Sequence, residues 1–313
     1  MRMHRMSFGF ALLLSMLVLC GFFTVTTYAK NSENGWKTID GETYYYEDGE
    51  AQTGRQKIDG NYYYFDSEGV MQTGWQEIKN KTYYFYKKGD NKGQAMTGLH
   101  KIKGYYYYFN KKGVMQTGWQ EIDGDKYFFY KKGDHKGQAA TGIVEIGDKV
   151  YSFTDKGVKV TGLKAQMDKK AYNKSSDTKY LILVDKSNYQ VAIYKGSKKN
   201  WKRIKFFKCA IGASDTETIE GTFSMGPSGG RAFKLKYFDA EGGVRCWYAS
   251  RIKGGYMFHS ILYWPTSSPT DSAIANARLG AKISHGCIRL ALKNAKWIYD
   301  KIPEGTKVII YSS

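Results

Sequence analysis

The chain has 313 residues, enough for two domains of ordinary size. Hydrophobic residues make up 42% of it and there are only 4 prolines, so the chain can bury real cores. The net charge of +19 favours anionic partners, among which nucleic acid is the usual one. Aromatic residues reach 16%, with 27 tyrosines gathered mainly in the first half, which indicates a local architecture built from tyrosine.

Residues 1–29 have the pattern of an export signal. Arg2 and Arg5 give a positively charged start, an apolar run over residues 8–23 follows, and Ala29 is a small residue at the expected cleavage point. An uncleaved membrane anchor is the alternative, because the apolar run is long for a signal peptide. In either case the rest of the chain is expected outside the cytoplasm. Export argues against nucleic acid as the partner and favours anionic polymers of a cell surface.

The cysteines are too few to form a disulfide scaffold. Beyond Cys20, the chain has Cys209, Cys246 and Cys287. A disulfide between Cys209 and Cys246 is one alternative, and two free buried thiols that pack as small apolar groups are the other. An odd thiol in an exported protein directs attention to its reactivity.

Residues 35–163 form a repeat array. Each unit has a short strand, a turn such as Asp59-Gly60 and an aromatic run such as 105–109, a pattern that predicts a β-hairpin. Successive Thr-Gly glycines lie 20, 24, 20, 24 and 20 residues apart, at Gly54, Gly74, Gly98, Gly118, Gly142 and Gly162. A fixed period of this length marks a solenoid. Because a lone hairpin is marginally stable in water, the hairpins are expected to stack on one another.

The residue that follows the glycine of each unit alternates in type. It is Trp36, Trp75 and Trp119 in one set of units, and Arg55, Leu99, Ile143 and Leu163 in the other. The duplicated unit is therefore expected to be a pair of hairpins, 75–118 and 119–162. If a ligand box needs the indole, the array has about three boxes, and most of its tyrosines are core residues.

These units resemble the cell-wall-binding repeats of choline-binding proteins, glucan-binding proteins and clostridial toxins. The resemblance rests on Met71-Gln72-Thr73-Gly74-Trp75 and Tyr83-Tyr84-Phe85, in the expected order. It implies that the array binds a wall polymer, and that a quaternary ammonium group can lie in a box of aromatic rings through cation–π attraction. Alternate units lack the tryptophan, so choline, an anionic polymer such as teichoic acid and a glycan all remain open as the ligand.

The pattern changes after residue 163. Residues 164–179 are polar and rich in lysine, which is typical of a linker or of the start of a domain. Two apolar runs at 180–184 and 190–194 predict a hairpin, and residues 292–302 carry apolar side chains at helical spacing. Further strands are expected at 206–211, 222–225, 244–249, 256–258 and 307–311. The sequence therefore predicts a mostly β protein, with a hairpin solenoid followed by a sandwich-like domain at 180–313 that has one late helix.

The chemistry is concentrated in one short string, residues 284–289, Ser-His-Gly-Cys-Ile-Arg. The Cys287 thiol needs a base or a positive charge to ionise, and His259 is a candidate base. Gly286 lets the backbone approach a substrate and present N–H groups to an oxyanion. Arg289 points to the same side as Cys287 in an extended segment and can hold a carboxylate with two hydrogen bonds. A buried, inert cysteine is the alternative, but the length of the string argues against it.

This string, with a histidine on an earlier strand, resembles the signature of the bacterial L,D-transpeptidases, and the resemblance covers about residues 178–313. It implies that Cys287 is the nucleophile and His259 the base. It also implies that the backbone carbonyl of Ser260 orients the imidazole, and that His285, Gly286 and Cys287 form the oxyanion hole.

The same resemblance implies the reaction. The thiolate attacks the carbonyl of the third residue of a peptidoglycan tetrapeptide stem, D-Ala leaves, and a thioester forms. The amine of a second stem then gives a 3→3 cross-link, water gives carboxypeptidase activity, and a protein amine gives protein anchoring. The resemblance implies no metal or organic cofactor, inhibition by carbapenem β-lactams, and secretion to the cell wall of a Gram-positive bacterium.

Two departures from the family pattern and two rival classes bear on this interpretation. Ile219 stands where the family often has proline, and 24 residues separate His259 from Ser284, so residues 261–283 are expected to be an insertion beside the substrate groove. A sortase would show Thr-Leu-x-Thr-Cys with its arginine farther downstream, and this chain does not. A wall-binding protein with a decayed enzyme domain is the second rival, and the intact string argues against it.

Overall fold

The computed structural model describes residues 34–313, so the expected export signal at 1–29 lies outside the described residues. The described chain is mostly β, which confirms the predicted fold class. It divides into two compact units, one that ends at Gln72 and one that spans Thr73–Ser313. Neither helix in the described range is long and apolar enough to cross a lipid bilayer.

The first unit consists of two repeat hairpins. Its strands are β1 (Gly35–Ile39), β2 (Glu42–Glu47), β3 (Glu50–Ala51), β4 (Gly54–Ile58) and β5 (Asn61–Phe65). The predicted two-residue turn joins β4 to β5, with Asp59 at φ 48° and Gly60 at φ 82°. Both φ angles are positive, as required by the two-residue turn whose twist matches the right-handed twist of the strands. Glycine adopts a positive φ at little cost. Ile58, Tyr63 and Phe65 form the buried core of this unit.

Four further hairpins open the second unit. Their strands are β6 (Gly74–Ile78), β7 (Lys81–Phe85), β8 (Gly98–Ile102), β9 (Tyr105–Phe109), β10 (Gly118–Ile122), β11 (Asp125–Phe129), β12 (Gly142–Ile146), β13 (Lys149–Phe153) and the short β14 (Lys159–Val160). All four have the same register, in which the repeat glycine lies opposite the last phenylalanine, as in Gly74 opposite Phe85. Phe85, Phe109 and Phe129 are completely buried. Each of these hairpins thus buries the phenylalanine that lies opposite its repeat glycine.

Hairpins of this unit stack through backbone and ring contacts. The Met115 amide donates to the Thr82 carbonyl at 2.8 Å, and 24 residues later the Ala139 amide donates to the Tyr106 carbonyl at the same distance. The ring of Tyr108 stacks on that of Phe129 with centroids 6.2 Å apart. These contacts bury the hydrophobic faces that an isolated hairpin would expose. The predicted stacking is confirmed within this unit.

Residues 164–172, which the sequence assigned to a linker, are helical instead. Helix α1 spans Gly162–Tyr172, and Met167 and Ala171 are completely buried on it. They pack in one core with Ile143 of the last hairpin and with Leu181 of the following domain. The helix escaped prediction because its buried stripe is narrow and lysines surround it, so the segment as a whole reads as polar.

The remaining strands form one sheet of twelve strands. They are β15 (Tyr180–Asp185), β16 (Gln190–Ser197), β17 (Asn200–Gly212), β18 (Gly221–Ser224), β19 (Lys234–Ala240), β20 (Val244–Lys253), β21 (Tyr256–Ser260), β22 (Leu262–Tyr263), β23 (Ile274–Asn276), β24 (Lys282–Ser284), β25 (Ile288–Leu290) and β26 (Lys307–Tyr311). The main order is β18-β26-β15-β16-β17-β25-β21-β20-β22-β23, with β19 on β20 and β24 on β17. The predicted hairpin is β15–β16, and the predicted late helix is α2 (Leu292–Lys301).

Both faces of the strands β15 and β16 are buried. Ile182 and Val184 point into a core that also contains Ile298 of α2, whereas Leu181 and Leu183 point into the core that contains α1. Because side chains alternate along a strand, a near-continuous apolar run indicates a strand covered on both sides. Helix α1 supplies the second cover.

The expected insertion at 261–283 is a folded part of the sheet. Strand β22 pairs with β20, and β23 pairs with β22, so the segment extends the sheet beyond β20. Trp247, Ile261, Tyr263 and Ala273 form a small core of their own beneath it. The insertion is thus anchored beside the strand that neighbours β21.

Candidate active site

Cys287, His259 and Arg289 line one cavity of about 370 Å³. Strand β25, which follows Cys287, pairs in parallel with β21, and this register places Arg289 opposite His259. Parallel neighbours present equivalent positions at the same height, so the pairing brings the histidine and the end of the cysteine loop together. The structure therefore brings together the three side chains that the sequence singled out.

His259 is buried, and its orientation is fixed by the next residue. Its Nδ1 lies 2.7 Å from the backbone carbonyl oxygen of Ser260. A carbonyl can only accept, so Nδ1 carries the proton and Nε2 is the basic nitrogen. Burial lowers the pKa of the imidazole to about 4, the Ser260 carbonyl opposes this shift, and the nearby Arg289 adds to it. At neutral pH the ring is therefore neutral and able to accept a proton.

The Cys287 side chain is half-buried, and its surroundings shift the pKa of the thiol in opposite directions. Burial raises the pKa of the thiol, whereas the backbone amide of Met257 and the cationic Arg289 and Arg251 lower it. The sulfur lies 3.4 Å from the Gly255 carbonyl oxygen, to which the thiol donates. Because burial is the largest of these effects, the resting group is a thiol that needs a base to ionise.

Gly286 is required for two reasons. Its φ of +100° lies in the region that favours glycine, and a Cβ at this position would lie 2.6 Å from Cε1 of Tyr256. The first is a restriction of the backbone and the second a clash with a ring, so any side chain here is strained.

Two threonines from a distant segment brace the same loop. The buried Thr218 hydroxyl donates to the Gly286 carbonyl at 2.8 Å and accepts from the Gly212 amide at 2.8 Å. Thr216 donates to the Ser284 carbonyl at 3.0 Å, and the Ser284 hydroxyl donates to the Cys287 carbonyl at 2.5 Å. In this segment, sequence reasoning singled out only Ile219, as a departure from the family pattern. Two threonine hydroxyls, five and three residues before β18, were the only sequence signal for this role.

Arg289 is a buried cation with unused donor capacity. Its side chain is 9% exposed, and its Nε has no hydrogen-bond partner in the described structure. Burial lowers the pKa of this guanidinium, while the thiols of Cys246 and Cys287 raise it. A buried guanidinium that lines a cavity favours a carboxylate, which binds it with two hydrogen bonds and restores its partners.

Arg251 is a residue of this site that sequence reasoning missed. It is buried, donates from Nε to the Ala232 carbonyl at 2.9 Å, and also bonds the Gly254 carbonyl through Nη1. The next carbonyl along the chain, that of Gly255, accepts from the Cys287 thiol. Arg251 thus holds the turn that contacts the sulfur and adds positive charge nearby.

The other predicted site residues have separate environments. His285 is exposed, although its backbone belongs to the loop before the cysteine. The Ser260 hydroxyl accepts from the Trp247 amide at 2.9 Å and donates to the Ile261 carbonyl at 2.6 Å. The carbonyl of Ser260 orients His259, and its hydroxyl joins two strands.

The two remaining thiols of the described chain are free and buried, so the alternative of a Cys209–Cys246 disulfide is not what the structure contains. Burial raises the pKa of both to about 12. Cys246 lines the cavity with Cys287, but such a thiol stays protonated. Across residues 34–313, no group of three His, Cys, Asp or Glu side chains is arranged to hold a metal ion.

A second kind of candidate site occurs at the repeat tryptophans. Each indole is about two-fifths exposed and contacts one ring of its own hairpin and two rings of the next. The following centroid distances are from each indole to the ring of its own hairpin and to the nearer ring of the next. Trp36 lies 5.0 Å from Tyr45 and 4.7 Å from Tyr63, and Trp75 lies 5.0 Å from Tyr84 and 4.9 Å from Tyr107. Trp119 lies 5.2 Å from Phe128 and 4.9 Å from Tyr151. At the alternate positions, Leu99 and Ile143 pack into cores instead. The partly open aromatic sites therefore follow the tryptophans.

Comparison with known families gives a match for both parts of the described chain. Residues 179–310 match the family described as the L,D-transpeptidase catalytic domain. Residues 52–94 and 96–138 match the choline-binding repeat, and residues 34–50 match a cell wall binding repeat. Repeats of this kind indicate a cell-surface or wall-associated protein.

Individual relatives match parts of the chain. YciB of Bacillus subtilis, named as a candidate L,D-transpeptidase, is 39% identical over 100 residues, which are 31% of this chain and 47% of that protein. The match thus spans about half the length of that relative. A fused Zn-dependent amidase/peptidase/peptidoglycan-binding domain-containing protein of Clostridium acetobutylicum is 39% identical, with 45% of this chain and 57% of that one covered and a TM-score of 0.37. Choline binding protein F of Streptococcus pneumoniae, solved with a peptidoglycan analogue, is 30% identical, with 42% and 46% covered and a TM-score of 0.37.

Proposed function

Because the chain carries an L,D-transpeptidase catalytic domain behind choline-binding repeats, we propose that it is a wall-bound acyltransferase that forms a thioester between Cys287 and a peptidoglycan stem. The observation that carries the proposal is the cavity in which Cys287 meets a neutral, oriented His259 and the buried cation Arg289. Nucleophile, base and carboxylate-binding group are what an acyl transfer to and from a peptide requires.

The first half of the reaction forms the acyl-enzyme. His259 accepts the thiol proton on Nε2 while the Cys287 sulfur attacks the carbonyl carbon of the third residue of a tetrapeptide stem. The backbone N–H groups over residues 285–287 stabilise the oxyanion. The C–N bond to D-Ala then breaks, and the imidazolium returns its proton to the leaving amine. An imidazole of low pKa is a strong acid once protonated, which suits this second transfer.

The second half releases the acyl group. His259 accepts a proton from the attacking amine of a second stem, and the new amide bond is a 3→3 cross-link. Water in place of the amine gives L,D-carboxypeptidase activity, because it hydrolyses the same thioester. Arg289 binds a carboxylate of the stem and so places the carbonyl beside the sulfur. A carbapenem would acylate the same sulfur through its strained β-lactam carbonyl.

The repeats hold the enzyme on its substrate. The boxes at Trp36 and Trp75 present partly open indole faces, which attract a quaternary ammonium group or stack on a sugar. Attachment raises the local concentration of stems without altering the chemistry. With export directed by residues 1–29, the protein acts in the cell wall, as expected for a Gram-positive bacterium.

The test is acylation by a defined stem. The full chain is incubated with a purified disaccharide-tetrapeptide, D-Ala release is measured, and intact-protein mass spectrometry detects the added acyl mass. Cys287→Ala should lose both signals. Cys209→Ala is the matched control, because that thiol is buried in the core and does not line the cavity, and it should retain both. D-Ala release by the Cys287→Ala variant would refute the proposed mechanism.

A further inference from the structure

The three tryptophan sites of the repeats differ in the side chain that completes them. The cavity at Trp75 has a volume of about 430 Å³ and that at Trp119 of about 390 Å³. Equivalent residues line most of both, in the pairs Trp75 and Trp119, Gln76 and Gln120, Glu77 and Glu121, and Tyr107 and Tyr151. The rings have nearly the same spacing, since each tryptophan centroid lies 4.9 Å from that of its tyrosine. The sites are therefore copies of one another in their aromatic part.

The first difference is a methionine replaced by a lysine. Met115 lies opposite Phe109 in the hairpin next to Trp75, and Met71 lies opposite Phe65 in the first unit. Lys159 lies opposite Phe153, which is the same position of the repeat. Where two of the sites have a neutral thioether, the third has a cation.

The second difference also adds a positive charge. Thr82 lies opposite Glu77 at the Trp75 site, and Lys126 lies opposite Glu121 at the Trp119 site. The Lys126 Nζ is 3.7 Å from a Glu121 carboxylate oxygen, so these two charges offset one another. The Trp75 cavity is itself lined by one carboxylate, Glu77, and one cation, Lys136. Lys159 is therefore the extra positive charge of the Trp119 site.

Lys159 already occupies the place of a ligand cation. Its Nζ lies 5.3 Å from the ring centroid of Tyr151 and 5.6 Å from that of Trp119, within cation–π range of both. No carboxylate lies within ion-pair distance of it among residues 34–313. A quaternary ammonium at the same rings would have to displace this ammonium group or sit beside a like charge.

We propose that Lys159 excludes quaternary ammonium ligands from the Trp119 site and makes it a site for an anionic wall unit, in which a carboxylate or phosphate pairs with Lys159. The indole of Trp119 is 42% exposed, which leaves a face on which the sugar or polyol of such a unit can pack. The array then has two kinds of site, cation-binding at Trp36 and Trp75 and anion-binding at Trp119. This inference rests on the proposed wall-binding function of the repeats and assigns a ligand class to one of their sites.

The experiment follows each indole separately. The full chain is labelled with ¹⁵N at its tryptophans, and the indole N–H signals of Trp36, Trp75 and Trp119 are assigned with Trp→Phe variants. Choline, N-acetylmuramic acid and glycerol 3-phosphate are then titrated in turn. We expect choline to shift the Trp36 and Trp75 signals with at least tenfold higher affinity than the Trp119 signal. At least one of the two anions should shift the Trp119 signal alone, and the choice between them identifies a sugar carboxylate or a polyol phosphate as the source.

Lys159→Met restores the methionine of the other sites and is the decisive variant. The Trp119 signal should then respond to choline with an affinity within about threefold of the Trp75 site, and its response to the anions should disappear. Lys136→Met, which removes one charge at the rim of the Trp75 cavity, should leave the Trp119 responses unchanged.

The outcomes separate this inference from the function on which it rests. Equal choline affinity at Trp75 and Trp119 in the unaltered chain would overturn it, as would a Trp119 signal that responds to neither anion. If choline shifts none of the three signals while an anion shifts Trp119 in a Lys159-dependent way, the assigned role of Lys159 in anion binding stands. In that case the ammonium ligand proposed for Trp36 and Trp75 is the part that fails.

Discussion

The imidazole of His259 is held by the backbone carbonyl of its own neighbour, Ser260, 2.7 Å from Nδ1. A carbonyl fixes the tautomer as a carboxylate would, but it brings no negative charge to stabilise an imidazolium. Burial therefore dominates and keeps the pKa of the ring low, at about 4. As the proposed base, His259 is weak at rest, so we expect proton transfer to accompany attack by the sulfur.

The first prediction concerns which histidine is the base. His259→Gln should lower the acylation rate near neutral pH by roughly 10²–10⁴-fold, the usual contribution of a general base. Burial raises the thiol pKa, so partial recovery is expected only at alkaline pH, where the thiol ionises unaided. Stopped-flow acylation with a carbapenem, measured across pH, tests this. His285→Gln is the control, because its side chain is exposed, and it should show no alkaline recovery. Recovery in His285→Gln alone would reverse the assigned roles.

The second prediction is that the protein loses free energy of unfolding in acid, and that His259 causes a defined part of this loss. The folded-state pKa is about 4 and the ordinary value is 6.5, so between these values the unfolded chain binds more protons than the folded one. The stability that the protein has while His259 is neutral is therefore fully present above about pH 6.5. It is lost as the pH falls towards 4, because protonation of this histidine favours the unfolded chain. His259 alone should reduce the free energy of unfolding by about 2 kcal/mol between about pH 7 and pH 4.5. Urea unfolding at both pH values should show a smaller loss for His259→Gln. An equal loss in the two proteins would contradict the assignment.

The side chains that line the cavity could be predicted from sequence because most of them are local. Cys287, Gly286 and Arg289 lie in one six-residue string, and His259 is one of only two histidines after residue 163. The bracing of that string is not local. Thr218 reaches the Gly286 carbonyl from 68 residues away, and the pairing of β17 with β24 and β25 brings the two segments together. No periodicity in the sequence encodes such a contact.

The repeats show the same division between local pattern and distant contact. Their hairpins and turns could be predicted because the same pattern of strand, turn and aromatic run recurs in each unit at a fixed period. The alternation of tryptophan was visible too, but the equivalence of Lys159 and Met115 depends on the strand register opposite Phe153 and Phe109. Helix α1 was missed because its buried stripe is narrow and lies among lysines, although it packs in one core with the last hairpin and the following domain.

The third prediction tests the brace on the cysteine loop. Thr218→Val keeps the shape of the side chain but leaves the buried Gly212 amide and Gly286 carbonyl without their partner. Each such group costs about 1–3 kcal/mol, so the protein should be less stable and the loop less well positioned. We expect kcat to fall by more than KM changes, measured by D-Ala release. Thr218→Ser retains the hydroxyl and should restore most of the activity. Full activity in Thr218→Val together with a loss in Thr218→Ser would show that the methyl group, not the hydrogen bonds, matters.

The fourth prediction concerns the helix found where a linker was expected. Asp168 on α1 is buried, and both its oxygens accept from Arg203 of β17, at 2.8 and 3.2 Å. Removing the carboxylate leaves a largely buried cation unpaired, so Asp168→Ala should lower the free energy of unfolding by about 3 kcal/mol. The double variant with Arg203→Met should recover part of that loss, as measured by urea unfolding. A loss below about 1 kcal/mol, the value typical of exposed pairs, would mean that α1 is not firmly packed.

The last prediction separates wall attachment from catalysis within the full chain. The indole of Trp75 is 39% exposed and forms an open face of its box. Tyr105 is a control from the same repeats, because its ring is 51% exposed and, among residues 34–313, stacks on none of the three repeat tryptophans. Trp75→Ala should therefore weaken binding to purified walls, and Tyr105→Ala should not. Because tethering only raises the local concentration of stems, activity on intact walls should fall severalfold or more, while activity on soluble muropeptides stays within about twofold.

Thermal unfolding of each variant identifies any loss that comes from the fold, since Trp75 also packs on Tyr84 and Tyr107. If Trp75→Ala lowered both activities equally with an unchanged melting temperature, the repeats would act on the chemistry itself, and the proposed tether would be wrong.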